Sequence, residues 1–324
     1  MHASTQEPSP FGLPRSVDEF ELIRRFFQRQ ENSPVVITGI GDDGAVVRPP
    51  PGKDLVTVID TLVAGTHFPL TMAAADIGYR AVAVNLSDMA AMGARPRWMT
   101  MALTLVDAEA SWLEGFAEGL HWAAAEWDVQ LVGGDTTSGE NVVVSVQMTG
   151  DVDPGNATYR SGARAGDTIY VTGTLGDAAA GLDRLANGDR NDYLYSRFAR
   201  PSARVATGLA LAGVAHAAID ISDGLVADLS KVIEASAVGA ELDVHLLPLS
   251  AALVDTVGPE QALRLALGGG DDYELCFTMP KSLLPPDLPC EISAVGRVTE
   301  SGQLVCLDQG VVVPFDDSGY RHFR

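Results

Sequence analysis

Positive charge is scarce in this chain. Lys and Arg together number 22 against 43 Asp and Glu, which leaves a formal net charge of -21 and a pI near 4.5. Such a field repels nucleic acid, anionic membranes and bare phosphates, so a phosphate ligand needs cations to enter. Only three lysines occur, Lys53, Lys231 and Lys281, none of them in a Gly-rich loop. The GxxxxGK[ST] phosphate loop is missing, as are the HRD and DFG motifs of protein kinases. Cysteine is equally sparse: Cys276, Cys290 and Cys306 lie in the last quarter without CxxC spacing, which excludes a disulfide framework and a zinc ribbon and fits a reduced cytosol. No apolar run reaches the roughly 18 residues that a membrane helix needs. Met1 to Ser16 is polar and Pro-containing and does not read as a secretory signal. The sequence therefore predicts a soluble, cytoplasmic protein.

What is present is a chain of 324 residues, 46% hydrophobic, long enough for about two domains. Ser16-Val17-Asp18-Glu19 is a capping box, and Phe20, Ile23, Phe26 and Phe27 recur at helical spacing, predicting a helix to about Glu31. Val- and Ile-rich runs at 34–38 and 55–59 read as strands, and 73–92 as a long apolar helix. A strand at 98–105, a helix at 109–127 and strands at 129–132 and 141–148 follow. The segment 151–167 (DVDPGNATYRSGARAGD) is dense in turn formers, so the domain junction is placed there, between units 1–150 and 151–324. The second unit reads as a strand at 168–172, helices from about 176 and over 203–215 and 225–237, and short strands near Ala218 and Leu242. Further strands are predicted at 273–278, 292–298 and 304–307. The class is α/β or α+β.

Asp residues end apolar runs repeatedly, usually beside Gly. This happens at 39–44 (GIGDDG), 56–60 (VTVID), 131–135 (LVGGD), 218–224 (AIDISDG) and 268–272 (GGGDD), while Asp88 stands inside an apolar helix. Any one of these is ordinary turn or cap chemistry. The set is not, because buried carboxylates cost several kcal/mol each and repel one another unless cations pair with them. Oxygen ligands without His or Cys at ligand spacing select a hard ion, magnesium or calcium, and Gly-rich turns bring backbone N–H groups to phosphate. Gly39 to Gly44 satisfies GxGxxG, but Pro49-Pro50-Pro51 follows closely where a dinucleotide fold needs a helix, so that reading is rejected.

These motifs, in this order, resemble the thiamine-monophosphate kinase family of the aminoimidazole-ribonucleotide-synthetase-like superfamily. The matching segments are GIGDDGAVV (39–47), DTLVAGTHF (60–68), AVAVNLSDMAAMGA (81–94), LVGGDTTSG (131–139), RSGARAGDTIYVTGTLGDAAAGL (160–182), AIDISDGLVADL (218–229) and GGGDDYELCFT (268–278). The resemblance implies a two-domain fold of that superfamily, with an N-terminal sheet domain that dimerises and a C-terminal α/β domain that closes the site. It implies transfer of the γ-phosphoryl group of ATP to thiamine monophosphate by a homodimer. Magnesium would lie on Asp43, Asp60, Asp88, Asp135, Asp220 and Asp223, the nucleotide on Gly134, Asp135, Arg160 and Ser222, and the substrate on His67 and Asp271. No nucleophile is implied.

Three departures from the family pattern stand out. Val58-Ile59 replaces Ser-Thr, Asp271 replaces Glu, and Asp317 stands where an aromatic residue stacks on the thiamine rings, with Tyr320 as a possible substitute. The alternatives are another ATP-dependent member of the superfamily, such as a cyclising ligase, or a non-catalytic dimer that binds divalent cations. Selenophosphate synthetase is disfavoured because the N-terminal region lacks Cys and Lys.

Overall fold

The structure, a computed structural model of the chain, describes residues 19–29, 33–186, 188, 193–283 and 287–315. The first unit opens with α1 (Glu19–Leu22), which runs into a wider π-turn over Ile23–Phe27 closed by Gln28 N donating to Ile23 O at 2.9 Å. The described part of the predicted helix stops there, and Ser16 to Asp18 and Gln30 to Glu31 lie outside the described residues. β1 (Val36–Thr38) and β2 (Val46–Val47) form a small ribbon. Then come β3 (Asp54–Val63), α2 (Ala74–Ala91), β4 (Arg95–Leu105), α3 (Ala110–Ala125), β5 (Gln130–Ser138) and β6 (Val143–Val152).

Strands β3, β6, β4 and β5 make one sheet in that order, with β3 and β4 antiparallel to β6 and β5 parallel to β4. Asp60 and Asp135, read in the sequence as ends of apolar runs, both sit inside strands, because β3 and β5 continue through them. Alternation decides where each points. Asp60 pairs with Val146, which is fully buried, so it faces inward toward α2. Asp135 pairs with Ala102, which pairs with Ser145, the neighbour of Val146, so it faces outward.

The second unit follows a connection from 153 to 166. It contains β7 (Asp167–Thr172), α4 (Asp177–Ala186), α5 (Tyr193–Ala199), α6 (Val205–Leu211), β8 (Ala217–Asp220), α7 (Leu225–Ser236) and β9 (Gly239–Asp243). It ends with α8 (Ala251–Val257), α9 (Pro259–Gly268), β10 (Leu275–Pro280), β11 (Ile292–Thr299), β12 (Leu304–Asp308) and β13 (Val311–Val313). Its seven strands lie in the order β13-β12-β9-β11-β7-β10-β8, antiparallel except for β12 beside β9. Helices α5, α8 and α9 and the edge strand β13 are not anticipated by the sequence reading.

Helix α2 joins the two units. Its residues from Asp76 to Ser87 are buried without a break, which explains why it reads as apolar all round. One core runs from Val144 and Met148 of β6 through Val82 and Leu86 of α2 to Val205 and Leu211 of α6 and Leu275 and Phe277 of β10. The approach of α6 is close enough that a Cβ on Gly208 would lie 2.0 Å from Ala90 O. No helix among the described residues is long and apolar enough to cross a membrane.

Candidate active site

The site is built where α2 meets the C-terminal ends of β3 and β8. Asp88 lies on the last turns of α2, one residue after Ser87, whose hydroxyl donates to Asp220 Oδ2 at 2.8 Å. Asp220 ends β8, and Asp60 reaches inward from β3 toward Asp88, burial raising its carboxyl while the interaction with Asp88 opposes the rise. Burial, then the charges of Asp220 and Asp60, push the Asp88 carboxyl up to about 8. Burial is also the largest cause for Asp220, raised to about 7, with the Ser87 hydrogen bond opposing it. Arg160 lines a cleft of about 460 Å³ together with Val58, Asp88 and Asp220, and its positive charge opposes both shifts. Val58 thus forms an apolar part of the wall of this cleft.

The turn after β8 carries Ser222 and Asp223 and is fixed from behind by Asp228. That buried carboxylate accepts from the N–H groups of Ser222 and Asp223 at 2.9 Å and of Gly224 at 3.2 Å. Lys231 Nζ bridges Asp228 Oδ1 at 2.7 Å and Asp223 Oδ2 at 2.6 Å. Gly224, at φ 114°, supplies a backbone conformation that L side chains rarely adopt, and α7 starts immediately after it. The turn is held by one carboxylate and presents another, Asp223, to the space in front.

That space is a cleft of about 770 Å³ lined by Asp60, His67, Ser222, Asp223, Asp271 and Tyr273 among others. Val63 N donates to His67 Nδ1 at 2.9 Å, so the ring is the Nε2–H tautomer if neutral. Asp271 forms an ion pair with Arg80, a wholly buried residue of α2. The structure therefore brings together Asp60, Asp88, Arg160, Asp220, Ser222, Asp223, His67 and Asp271 along one seam between the units.

Asp43, Gly134 and Asp135 lie elsewhere, in a cleft of about 560 Å³ with Arg24 and Gln28. β3 and β5 are the opposite edges of a four-stranded sheet, so Asp60 and Asp135 stand three strand spacings apart, roughly 14 Å. At Gly134 a Cβ would lie 2.0 Å from Met101 O, so β4 and β5 pack there only around glycine. Asp317 and Tyr320 lie outside the described residues. Among the described residues, no three His, Cys, Asp or Glu side chains are gathered closely enough to hold an ion by themselves. Sequence reasoning missed Ser87, Arg80, Asp228 and Lys231. Asp228 had a signal, since it falls in the first turn of the helix opened by Asp223-Gly224, where a carboxylate caps exposed N–H groups.

The chain matches two family models, the N-terminal domain of AIR synthase related protein over residues 41–152 and its C-terminal domain over residues 164–282. It is 47% identical to the thiamine-monophosphate kinase of Escherichia coli strain K12 across 319 residues, covering 94% of this chain and 98% of that one. Among solved structures, the thiamine-monophosphate kinase from Stenotrophomonas maltophilia K279a superposes with a TM-score of 0.80 at 42% identity, covering 84% of this chain and 91% of that one. AaThiL complexed with AMPPCP and TMP superposes with a TM-score of 0.77 at 35% identity, covering 90% and 93%. With this identity over nearly its full length and this fold, the chain belongs to the thiamine-monophosphate kinase family.

Proposed function

We propose that the chain transfers the γ-phosphoryl group of ATP to the phosphate of thiamine monophosphate, giving ADP and thiamine diphosphate. The observation that carries the reading is the seam itself, where Asp60, Asp88 and Asp220 crowd together beside the Ser222-Asp223 turn, facing a cleft that also holds His67 and Asp271. A cation resolves this crowding. The donor set is all oxygen, which fits magnesium, and an ion that takes most of its ligands from phosphate and water needs no cage of three protein side chains. Asp60, Asp88, Asp220 and Asp223 would hold it on this side, and Asp43 and Asp135 on the other. When bound, magnesium supplies charge neutralisation to the phosphates in a loose phosphoryl-transfer transition state.

The protein's own residues then bind and align. Gly134, Asp135, Arg160 and Ser222 are assigned to the nucleotide, the Ser222-Asp223 turn being held in place by its amides donating to Asp228. His67 and Asp271 are assigned to the substrate, and Asp317 to its rings or its cationic thiazolium. The acceptor is a phosphate monoester with a second pKa of about 6, so it is largely ionised at neutral pH and needs no general base. No covalent intermediate on the protein is invoked.

We further assign the working enzyme as a homodimer. The outward face of the first sheet exposes Leu55 at 50% and Ile59 at 65%, and β3 and β5 are its two outer strands among the described residues. Two such faces paired about a two-fold axis lay β3 of one copy beside β5 of the other. That arrangement would bring Asp43 and Asp135 of one protomer toward the Asp60 and Asp88 seam of its partner. On this reading residues 1–150 bind metal and dimerise, and 151–324 close over the nucleotide. We place the enzyme in the cytoplasm, where ATP is available and its three free cysteines stay reduced. ADP release measured with thiamine monophosphate, with aminoimidazole ribonucleotide precursors and with no acceptor tests the assignment. Release above background with thiamine monophosphate alone supports it, and release with an aminoimidazole precursor alone overturns it.

A further inference from the structure

The backbone around Asp271 is unusually constrained. Asp271 at φ 62° and Tyr273 at φ 52° both occupy the left-handed region that side-chain-bearing residues avoid. They are kept there by Asp271 N donating to Ser222 O and Tyr273 N donating to Ile221 O, each at 2.9 Å. Between them Asp272 is buried, its Oδ2 accepting from Gly176 N at 2.8 Å. The backbone of position 271 is therefore fixed from the β8 side and from the start of α4. Its carboxylate is fixed by something else.

Arg80 does this from the opposite unit. It is 1% exposed, its guanidinium stacks on Phe198 at 4.5 Å and over Tyr273 at 5.3 Å, and Nη2 donates to Asp271 Oδ1. The stacking faces and the carbonyl of Phe198, which accepts from Nη1, leave the head group one position. Asp271 itself is 34% exposed and lines the large cleft, and among the described residues its Oδ2 has no hydrogen-bond partner. Arg80 sits eight residues before Asp88 on α2, about 12 Å along the helix axis. One rigid helix thus carries Asp88 of the proposed metal seam toward one end and, two turns earlier, the arginine that orients the Asp271 carboxylate.

We propose that Arg80 is a positioning residue for thiamine monophosphate. It holds Asp271 Oδ1 so that Oδ2 meets the substrate as an aimed hydrogen-bond acceptor, and it compensates the charge, so Asp271 recognises an N–H donor rather than acting as a free counter-ion. This rests on the function proposed above. A side chain one methylene shorter than Glu reaches less far into the cleft, and a fixed partner behind it makes that shorter reach directional.

The test is a double-mutant cycle on the full-length enzyme with separate KM values for the two substrates. Arg80→Met is expected to raise KM for thiamine monophosphate about tenfold or more while KM for ATP moves less than about twofold, with kcat the smaller effect. In an Asp271→Asn background the same substitution is expected to change KM for thiamine monophosphate by less than about threefold, because the carboxylate it positions is gone. Arg80→Lys, which keeps the charge without the planar fork, is expected to fall between wild type and Arg80→Met; if Arg80→Met does not fold, the cycle is run with Arg80→Lys. Equal rises in both KM values, or an equal rise in KM for thiamine monophosphate in the wild-type and Asp271→Asn backgrounds, overturns the assignment of Arg80. Absence of wild-type turnover with thiamine monophosphate is a different outcome and overturns the function on which the assignment rests.

Discussion

Ser87 Oγ donates to Asp220 Oδ2 at 2.8 Å, and both groups are buried, so this one bond ties the Asp88-bearing turn of α2 to the end of β8 across the boundary between the two units. Its loss leaves a buried carboxylate oxygen without its donor. Ser87→Ala is expected to destabilise the protein by about 1–3 kcal/mol and to weaken nucleotide binding together with it. Thermal unfolding and calorimetry with a non-hydrolysable ATP analogue measure the two effects. An unchanged melting temperature would show that the bond does not hold the units in register.

Asp88 has the opposite signature. It is set against Asp60 and Asp220 with too little solvent to screen them, so an amide in its place removes repulsion. Asp88→Asn is expected to raise the melting temperature of the metal-free protein and to weaken magnesium-dependent ATP binding on the order of tenfold or more, about 1.4 kcal/mol or more. A variant that is both less stable and unchanged in affinity contradicts the account of the seam.

The contact between α2 and α6 has no spare room. With Ala90 O only 2.0 Å from the position of a Cβ on Gly208, Gly208→Ala must push the helices apart. A cost of about 1–3 kcal/mol is expected in urea unfolding. Because α2 carries Asp88, kcat should fall while the isolated secondary structure, read by circular dichroism, stays the same.

His121 provides a pH dependence whose sign follows from its environment. Burial holds its imidazole below the ordinary value of 6.5, the nearby charge of Arg29 adds to this, and the hydrogen bond between Nε2 and Phe26 O opposes it. A base whose folded pKa is lowered stays neutral in the fold while the unfolded chain takes up a proton. Stability is thus fully present above 6.5 and is lost as the pH falls through that value toward the folded pKa, with a slope of at most about 1.4 kcal/mol per pH unit. His121→Gln keeps an N–H for Phe26 O and removes the titration. Its urea midpoint is expected to fall less than that of the wild type between pH 7.5 and pH 5.5, and parallel curves would contradict the assignment.

Much of the molecule was readable from residue patterns, and the reasons differ by element. Helix α2 and strands β3, β4 and β6 announced themselves through long apolar runs with clear periodicity. Helices α5, α8 and α9 did not, because α5 and α8 span seven residues each and α9 ten, and their amphipathic stripes are too short to stand out from loop sequence. The carboxylates of the seam were visible as Asp residues beside Gly and, for Asp88, as an acid in an apolar helix. The separation of Asp43 and Asp135 from the seam was invisible, since it depends on sheet order and on which face each strand position takes. Asp228 and Arg80 were passed over because each looked like a solitary charge on a helix, and only the tertiary structure shows what each one holds.

The central claim is direct, magnesium-dependent transfer from ATP to the phosphate of thiamine monophosphate, and γ-labelled ATP tests it in a single experiment. The protein is incubated with labelled ATP and magnesium, with and without thiamine monophosphate and with and without excess chelator, and products and denatured protein are separated. The account predicts label in thiamine diphosphate only when acceptor and magnesium are both present, with ADP formed in equal amount and no label on the protein. Label retained stoichiometrically on the protein, transfer undiminished by chelator, or no labelled thiamine diphosphate under any magnesium concentration would contradict it.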